Sequence, residues 1–262
     1  MVLPAADLKV YSEFRRIGPD GEIVVADRGG SVREILSPRA LRGGWTSYQI
    51  VVEAPAGTEF WLYLGQNPDH AARFTLYRAS FIGGVLNALE RVDEPASGKI
   101  PAGQQAAVFW VDLHYPKDGP AGRVKFEPQL FLSEEKRWLI YPMEVNITPV
   151  RAQSVIENVS GETPAAARAD DIALAVIRAY ACPGAPAIEA ASKPAQTVRD
   201  RIERNARQDV ALMRRLSAEA LAKALPAGFC TGAVFPPEGM IRIRDGIYKL
   251  LQESSKLKET DP

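Results

Sequence analysis

The sequence predicts an α+β protein in two parts: an N-terminal antiparallel β-sandwich of the immunoglobulin-like type, followed by a small C-terminal module of three helices. Up to about residue 150, apolar residues alternate with polar ones, or form short runs between Gly, Pro, Asn and Asp turns, which is typical of strands. After Pro149 the chain is rich in Ala, Arg and Glu, and its apolar residues recur at every third or fourth position, as in amphipathic helices. We therefore place the two domains at residues 1–150 and 151–262.

The first part contains a series of short strand-like segments with turns between them. Residues 18–22 include Pro19 and two glycines, and this turn predicts a hairpin between the first strand and residues 23–25. No helical pattern separates the segments, so parallel βαβ construction is not expected, and a sandwich or barrel is favoured. The predicted strands are 8–14, 23–25, 48–52, 60–64, 73–77, 106–114, 124–132 and 138–147.

Three helices are predicted in the second part. Thr163 and Pro164 are an N-cap residue and a proline at the first helical position, which marks a helix start. The second helix runs to the stop at Pro226, and Pro236 opens the third. Because one amphipathic helix cannot bury its own apolar stripe, the helices must pack on each other or on the β part. The stripe of the second helix comprises Val198, Ile202, Ala206, Val210, Met213, Leu216 and Ala220.

Cys182 and Cys230 each follow the end of a predicted helix, so neighbouring helices would bring their sulfurs together. A disulfide would close a loop of about 48 residues, worth roughly 4 kcal/mol on the chain-entropy account. Two separate buried thiols are the alternative. We favour the disulfide, which requires an oxidising compartment and hence a periplasmic or secreted protein.

The opening residues lack the basic and apolar regions of a secretory signal, so we expect either a mature form without its leader or a cytoplasmic protein.

Composition and charge exclude several classes of protein. Lys and Arg number 32, as do Asp and Glu, so the basic excess of a nucleic-acid binder is missing. Hydrophobic residues make up 46% and charged residues 24%, which is typical of a globular chain and not of a disordered one. No apolar run reaches about 18 residues, so no transmembrane helix is expected. We interpret the basic residues between Arg199 and Arg215 as a solvated helix face with local ion pairs.

No catalytic, cofactor-binding or metal-binding site is predicted. Asp112 and His114 are the one closely spaced Asp–His pair, and on a strand their side chains share a face with Trp110. Such a pair could orient a catalytic imidazole or bind a metal, but a structural hydrogen bond at the strand end is favoured. A zinc site made only of His and Cys would need both histidines and both cysteines. The paired glycines lack the spacing of a phosphate-binding loop.

All four tryptophans lie in or beside predicted strands. Trp45 and Trp61 are the candidates for stacking against a ligand, because a row of aromatic rings can bind the apolar faces of sugars. Filling the core is the favoured alternative for each tryptophan, since a buried aromatic side chain removes about 150–250 Å² from water. The tryptophans are Trp45, Trp61, Trp110 and Trp138.

Four short stretches of the β part, taken together, resemble those of a known domain. Residues 103–105 and 109–122 read GQQ and FWVDLHYPKDGPAG, and residues 33–38 and 47–52 read REILSP and SYQIVV. Together they resemble, over about residues 30–132, the N-terminal β-sandwich domain of bacterial secreted proteins of the glycoside hydrolase family 123 type. The resemblance implies an extracytoplasmic accessory domain with a connection to carbohydrate. It carries over no catalytic residue, because that family places its catalytic acids on a following barrel, which about 110 helical residues cannot form.

Three functions follow from these observations. We favour a non-catalytic extracytoplasmic structural or protein-interaction protein, acting with a protein partner or as a homo-oligomer within a larger assembly. The second is a carbohydrate-binding accessory module that uses the strand tryptophans. The third is a hydrolase that uses Asp112 and His114.

Overall fold

A computed structural model of the chain describes residues 6–23, 39–151, 173, 176–178, 180–182, 196–231 and 237–259. The described chain is mostly β-structure with helices towards its C-terminal end, which confirms the α+β class. The strands are β1 (Asp7–Ser12), β2 (Arg39–Arg42), β3 (Trp45–Glu53), β4 (Glu59–Asn67), β5 (Arg73–Ile82), β6 (Val85–Val92), β7 (Ala96–Lys99), β8 (Ala106–His114), β9 (Gly122–Leu132), β10 (Arg137–Ile140) and β11 (Glu144–Arg151). The helices are α1 (Gln196–Met213), α2 (Ala218–Ala224) and α3 (Pro237–Glu259), with a short 3-10 turn at Phe229–Thr231. Residues 173, 176–178 and 180–181 are also helical.

The strands form two sheets. The first sheet has the order β1-β3-β8-β5-β6 and its neighbouring strands are antiparallel. The second has the order β2-β11-β9-β4-β7, with β10 also paired to β9. Here β2 and β11 are parallel, a departure from the antiparallel prediction. The first strand pairs with β3, and of its predicted partner, residues 23–25, only Ile23 is described. Ile23 forms an isolated bridge with Ile17, and residues 24 and 25 lie outside the described residues.

The facing sides of the two sheets share one apolar core. Ile50 and Phe109 of the first sheet and Leu62 and Leu130 of the second are fully buried there. The rings of Phe60 and Phe109 meet edge to face at 6.0 Å between centroids. Because successive side chains of a strand point to opposite faces, the residues next to these core positions lie on the outer faces of the sheets. These outer faces carry the two features described below.

The helices cover the outer face of the first sheet. α1 contacts β3 and β6, and α3 contacts α1, β2 and β11. A second apolar core forms at this interface, where Trp110 and Leu41 of the β part pack with Ile202, Val210 and Tyr248 of the helices. Because the strands and helices share this core, it does not mark a boundary between two domains. The predicted division at residue 150 stays a prediction.

The apolar stripe predicted as one long helix is divided between α1 and α2. After Met213 the backbone N–H groups of Arg215 and Leu216 donate to carbonyls three residues earlier, which tightens the last turn and ends α1. Ser217 then caps α2, accepting a hydrogen bond from the Ala220 N–H at 3.2 Å. The N-cap propensity of serine therefore decides the break, and the apolar spacing alone does not reveal it.

The predicted disulfide between Cys182 and Cys230 is confirmed. It links Cys182, directly after the helical residues 180 and 181, to the 3-10 turn, with the two Cα atoms 5.4 Å apart. Arg178 supports the same junction, because its Nε donates to the Phe229 carbonyl at 2.7 Å. Among the described helices, none is both long enough and apolar enough to cross a membrane.

Candidate binding surface and the buried polar network

Charged side chains lie buried between the first sheet and the helices. Arg244 of α3 donates from Nε to Asp209 of α1 at 2.8 Å and from Nη1 to Glu13 at 2.5 Å. The two carboxylates are about 1% exposed and the guanidinium side chain 10%. Burial raises the pKa of both Glu13 and Asp209, although Arg244 opposes that rise. Two buried carboxylates therefore share one guanidinium.

One arm of this network connects the two long helices to β3. The hydroxyl of Tyr248 donates to Asp209 at 2.9 Å and accepts a hydrogen bond from the Gln208 side chain at 2.8 Å. The Gln208 side-chain oxygen in turn accepts from the Trp45 backbone N–H at 2.7 Å. These bonds fix α1 and α3 to each other and to the start of β3.

A second arm runs across the face of the first sheet. Asn205 donates to Glu13 at 2.6 Å and to the Ser47 hydroxyl at 3.1 Å. Ser47 donates to Asp112 at 2.7 Å, and the same oxygen of Asp112 accepts from the Trp110 indole at 3.0 Å. Asp112 is thus a structural acceptor within the interface.

The remaining oxygen of Asp112 bonds to α1. Arg201 Nε and Arg204 Nη1 donate to it at 3.0 and 3.4 Å. His114 shares the strand face with Asp112, as predicted, but its imidazole packs against the Trp45 ring at 4.6 Å. Burial lowers the pKa of His114, and Arg73 and Arg204 lower it further. The two residues proposed for a hydrolase therefore have separate partners.

One cavity at this interface is too small for an organic ligand. A cavity of about 20 Å³ lies beside Glu13, Arg244 and Asp245, and a volume of that size holds about one water molecule. Among the described residues, no group of three or more His, Cys, Asp or Glu is arranged to hold a metal ion.

The four tryptophans lie in different environments. Trp110 is buried in the interface with the helices. Trp45 is half-buried, with the Arg204 guanidinium 4.2 Å from its ring centroid. Trp61 and Trp138 are 41% and 49% exposed. Of the two predicted stacking residues, Trp61 therefore presents its ring to solvent and Trp45 packs within the protein.

An exposed row of aromatic side chains crosses the outer face of the second sheet. Trp61 of β4 lies opposite Phe131 of β9, and Phe131 lies opposite Trp138 of β10. We call these three residues the aromatic row. The ring centroids of Phe131 and Trp138 are 5.0 Å apart, and Tyr63, two residues beyond Trp61 on the same face, is 5.3 Å from Trp138. Strand alternation produces the row, because the neighbours Phe60 and Leu62 point into the core.

Polar side chains border the aromatic row on both sides. Lys99 and Glu59 form an ion pair at 2.7 Å on one side. On the other side, Gln129 lies opposite Tyr63 in the register of β4 and β9. Ser97 of β7, opposite Trp61, extends the row. Sequence reasoning missed the contributions of Phe131 and Trp138. The available signal was the unbroken apolar runs at residues 130–132 and 138–140, because successive residues of a strand face opposite sides and so part of each run must face outwards.

Comparisons with known proteins give only distant likenesses. No family model matches the sequence, and no curated protein matches it. A family 123 glycoside hydrolase from Clostridium perfringens aligns at 10% identity and a TM-score of 0.39, covering 57% of this chain and 28% of that one. The N-terminal domain of PorA aligns at 8% identity and a TM-score of 0.31, covering 55% of this chain and 99% of that one. The family named by the sequence resemblance is thus among the similar structures, at scores too low to carry an argument.

Proposed function

We propose that this chain is a non-catalytic extracytoplasmic interaction protein, an immunoglobulin-like sandwich with a helical module, and that the aromatic row is its contact surface. The observation that carries the proposal is the exposure of Trp61 and Trp138 on one face of the second sheet. Large apolar side chains gathered on an exposed surface mark sites of interaction more often than scattered single ones do.

The buried network supports a non-catalytic role. General acid–base catalysis needs a titratable group within hydrogen-bond reach of a substrate. Asp112, Glu13 and Asp209 are instead buried, and each bonds to at least one arginine. Their arrangement attaches the helices to the first sheet and offers no access to a substrate.

The disulfide supports an extracytoplasmic location. Disulfides persist in oxidising compartments and are rare where glutathione keeps thiols reduced. The Cys182–Cys230 bond therefore fits a protein that acts outside the cytoplasm.

A retention assay tests the contact surface. The full chain is incubated with a bacterial cell-envelope fraction, and the Trp61→Ala/Trp138→Ala variant is compared with Ile82→Ala. Ile82 is 67% exposed on the first sheet and serves as the matched control. We expect the double variant to lose at least tenfold in retention and Ile82→Ala to match the wild type.

Folding is checked in the same experiment by chemical unfolding. About half of each tryptophan is buried against its neighbours, so each substitution should lower the free energy of unfolding by on the order of 2 kcal/mol, and retention is compared under conditions in which every variant is folded. Equal retention of the double variant and the wild type would contradict the proposal.

A further inference from the structure

Building on the proposed function, we infer that the aromatic row binds a neutral, linear saccharide chain that runs across the strands. Trp61, Phe131 and Trp138 then lie beneath successive parts of the chain, and the bordering polar side chains reach its hydroxyl groups.

The spacing of the row suits an extended sugar chain. Neighbouring strands lie about 4.8 Å apart, so the backbones at Trp61 and Trp138, two strands apart, are separated by roughly 10 Å. This distance is comparable to the length of two linked pyranose rings in an extended chain. Because Phe131 lies between the two tryptophans, the row offers a continuous apolar track perpendicular to the strands.

The border of the row suits the edges of a sugar ring. A pyranose has an apolar C–H face and carries its hydroxyls around the rim. The side-chain amide of Gln129 and the hydroxyl group of Tyr63 occupy the next register position on one side. Glu59 and Lys99 occupy the other side. Apolar stacking in the middle with hydrogen-bonding groups on both sides matches this amphipathic shape.

The size of the exposed surface favours a saccharide over a protein. A whole tryptophan side chain offers up to about 250 Å², so exposures of 41% and 49% leave on the order of 100 Å² on each of Trp61 and Trp138. With Ile140, the exposed apolar area is on the order of 300 Å². A standard protein interface takes about 800 Å² from each partner, of which about 57%, or roughly 450 Å², is apolar. A second copy of the chain would therefore find less apolar surface here than a standard interface uses, while a sugar ring needs one aromatic face.

The charges at the surface favour a neutral chain. Lys99 and Glu59 neutralise each other in their ion pair, and Glu134 adds a further carboxylate near Lys99, which disfavours an acidic saccharide at this border. Binding should accordingly depend little on salt, because screening weakens only interactions between exposed charges.

Titration with defined oligosaccharides tests the inference. The probes are the β-1,4-linked hexamers of glucose and of N-acetylglucosamine and the α-1,4-linked hexamer of glucose, followed by tryptophan fluorescence and calorimetry. We expect at least one hexamer to bind, with affinity at least tenfold weaker in Trp61→Ala and in Trp138→Ala and within twofold of wild type in Ile82→Ala. Raising NaCl from 50 to 500 mM should change the affinity less than twofold.

Two results would overturn the inference. One is the lack of binding by all three hexamers at millimolar concentration, and the other is binding that is unchanged by both tryptophan substitutions. Retention on the envelope fraction distinguishes a failure of this inference from a failure of the proposed function. If retention depends on the aromatic row but disappears when the envelope is treated with protease, the contact surface stands and its partner is a protein. If retention does not depend on the row, both proposals fall.

Discussion

The two outer faces of the β part differ in their side chains and in what covers them. The outer face of the first sheet carries acids and arginines that the helices bury, such as Asp112 beneath Arg201. The outer face of the second sheet carries tryptophans that stay in contact with solvent. Charged residues are almost never fully buried unless they are paired, and each of these acids is paired with an arginine. One outer face therefore has its charges paired within the protein, while the other keeps large aromatic rings in solvent.

The polar network on the outer face of the first sheet fits one placement of the helices. Replacing buried ion pairs by apolar residues is often neutral or stabilising, so such pairs are weak evidence for stability in themselves. Here, however, each group has a specific partner. Gln208 of α1 bonds to Trp45 of β3, and Arg244 of α3 bonds to both Asp209 of α1 and Glu13. A shift of α1 or α3 by one turn would leave several of these groups unpaired. We therefore interpret the network as a device that selects the docking register of the helices.

The largest expected effect comes from opening the network at its centre. Arg244→Met would leave the carboxylates of Glu13 and Asp209 buried without their cation. Removing one partner of a buried pair costs about 3–5 kcal/mol, and we expect the upper end of that range because two acids lose their partner. Chemical unfolding at pH 7 measures the change.

The control is Arg242→Met, an exposed position on the same helix, where a change of about 0.5 kcal/mol is expected. The triple variant Arg244→Met/Glu13→Gln/Asp209→Asn should recover part of the loss, since it removes all three charges of this cluster. Equal losses for Arg244→Met and Arg242→Met would show that the buried face resembles an ordinary surface.

A somewhat smaller effect is expected from the disulfide. Cys182 and Cys230 are separated by 48 residues, and closing a loop of that size is worth roughly 4 kcal/mol in the chain-entropy account. We expect Cys182→Ser/Cys230→Ser to lose about this much free energy of unfolding, and reductant to bring the wild type to the same value. Hydrogen exchange should rise in α1 and α3 while β4, β9 and β10 stay protected. Uniform loss of protection would show that the two faces do not differ in how they are stabilised.

Features that depend on local sequence could be predicted. Alternation identified most strands, and the positions of Cys182 and Cys230 at helix ends identified the disulfide. Strand alternation also places Trp61 outside the core, between Phe60 and Leu62, although the interpretation favoured from the sequence, a core position, was wrong for it. These features depend on residues that are close in sequence or on one simple pairing.

The network could not be predicted, because its partners are far apart in the chain. Asn205 bonds to Glu13 across 192 positions, and Arg244 bonds to Glu13 across 231. The arginines of α1 also illustrate the limit. Arg207 pairs with Glu203 on its own helix, as a solvated face predicts. Arg201 instead crosses to Asp112 on the sheet, and only the docking of the helix reveals that partner.

The smallest expected effect is a pH dependence confined to the buried face. Burial raises the pKa of Glu13 above its ordinary value of 4.5, so the folded chain takes up a proton at a higher pH than the unfolded chain does. The free energy of unfolding should therefore increase as the pH falls from neutral towards that ordinary value. In Glu13→Gln this contribution disappears, so the free energy of unfolding should increase less over the same pH range than it does in the wild type.

The comparison with the variant also removes the effect of His114. Burial lowers the pKa of that imidazole, so its protonation favours the unfolded chain as the pH falls, opposite in sign to Glu13. Because His114 is present in both proteins, its contribution cancels in the difference between their profiles. Denaturant unfolding of both at several pH values from 8 to 5 measures that difference. Superimposable profiles would mean that Glu13 titrates as an exposed acid does, and the contrast between the two faces would then lose its electrostatic basis.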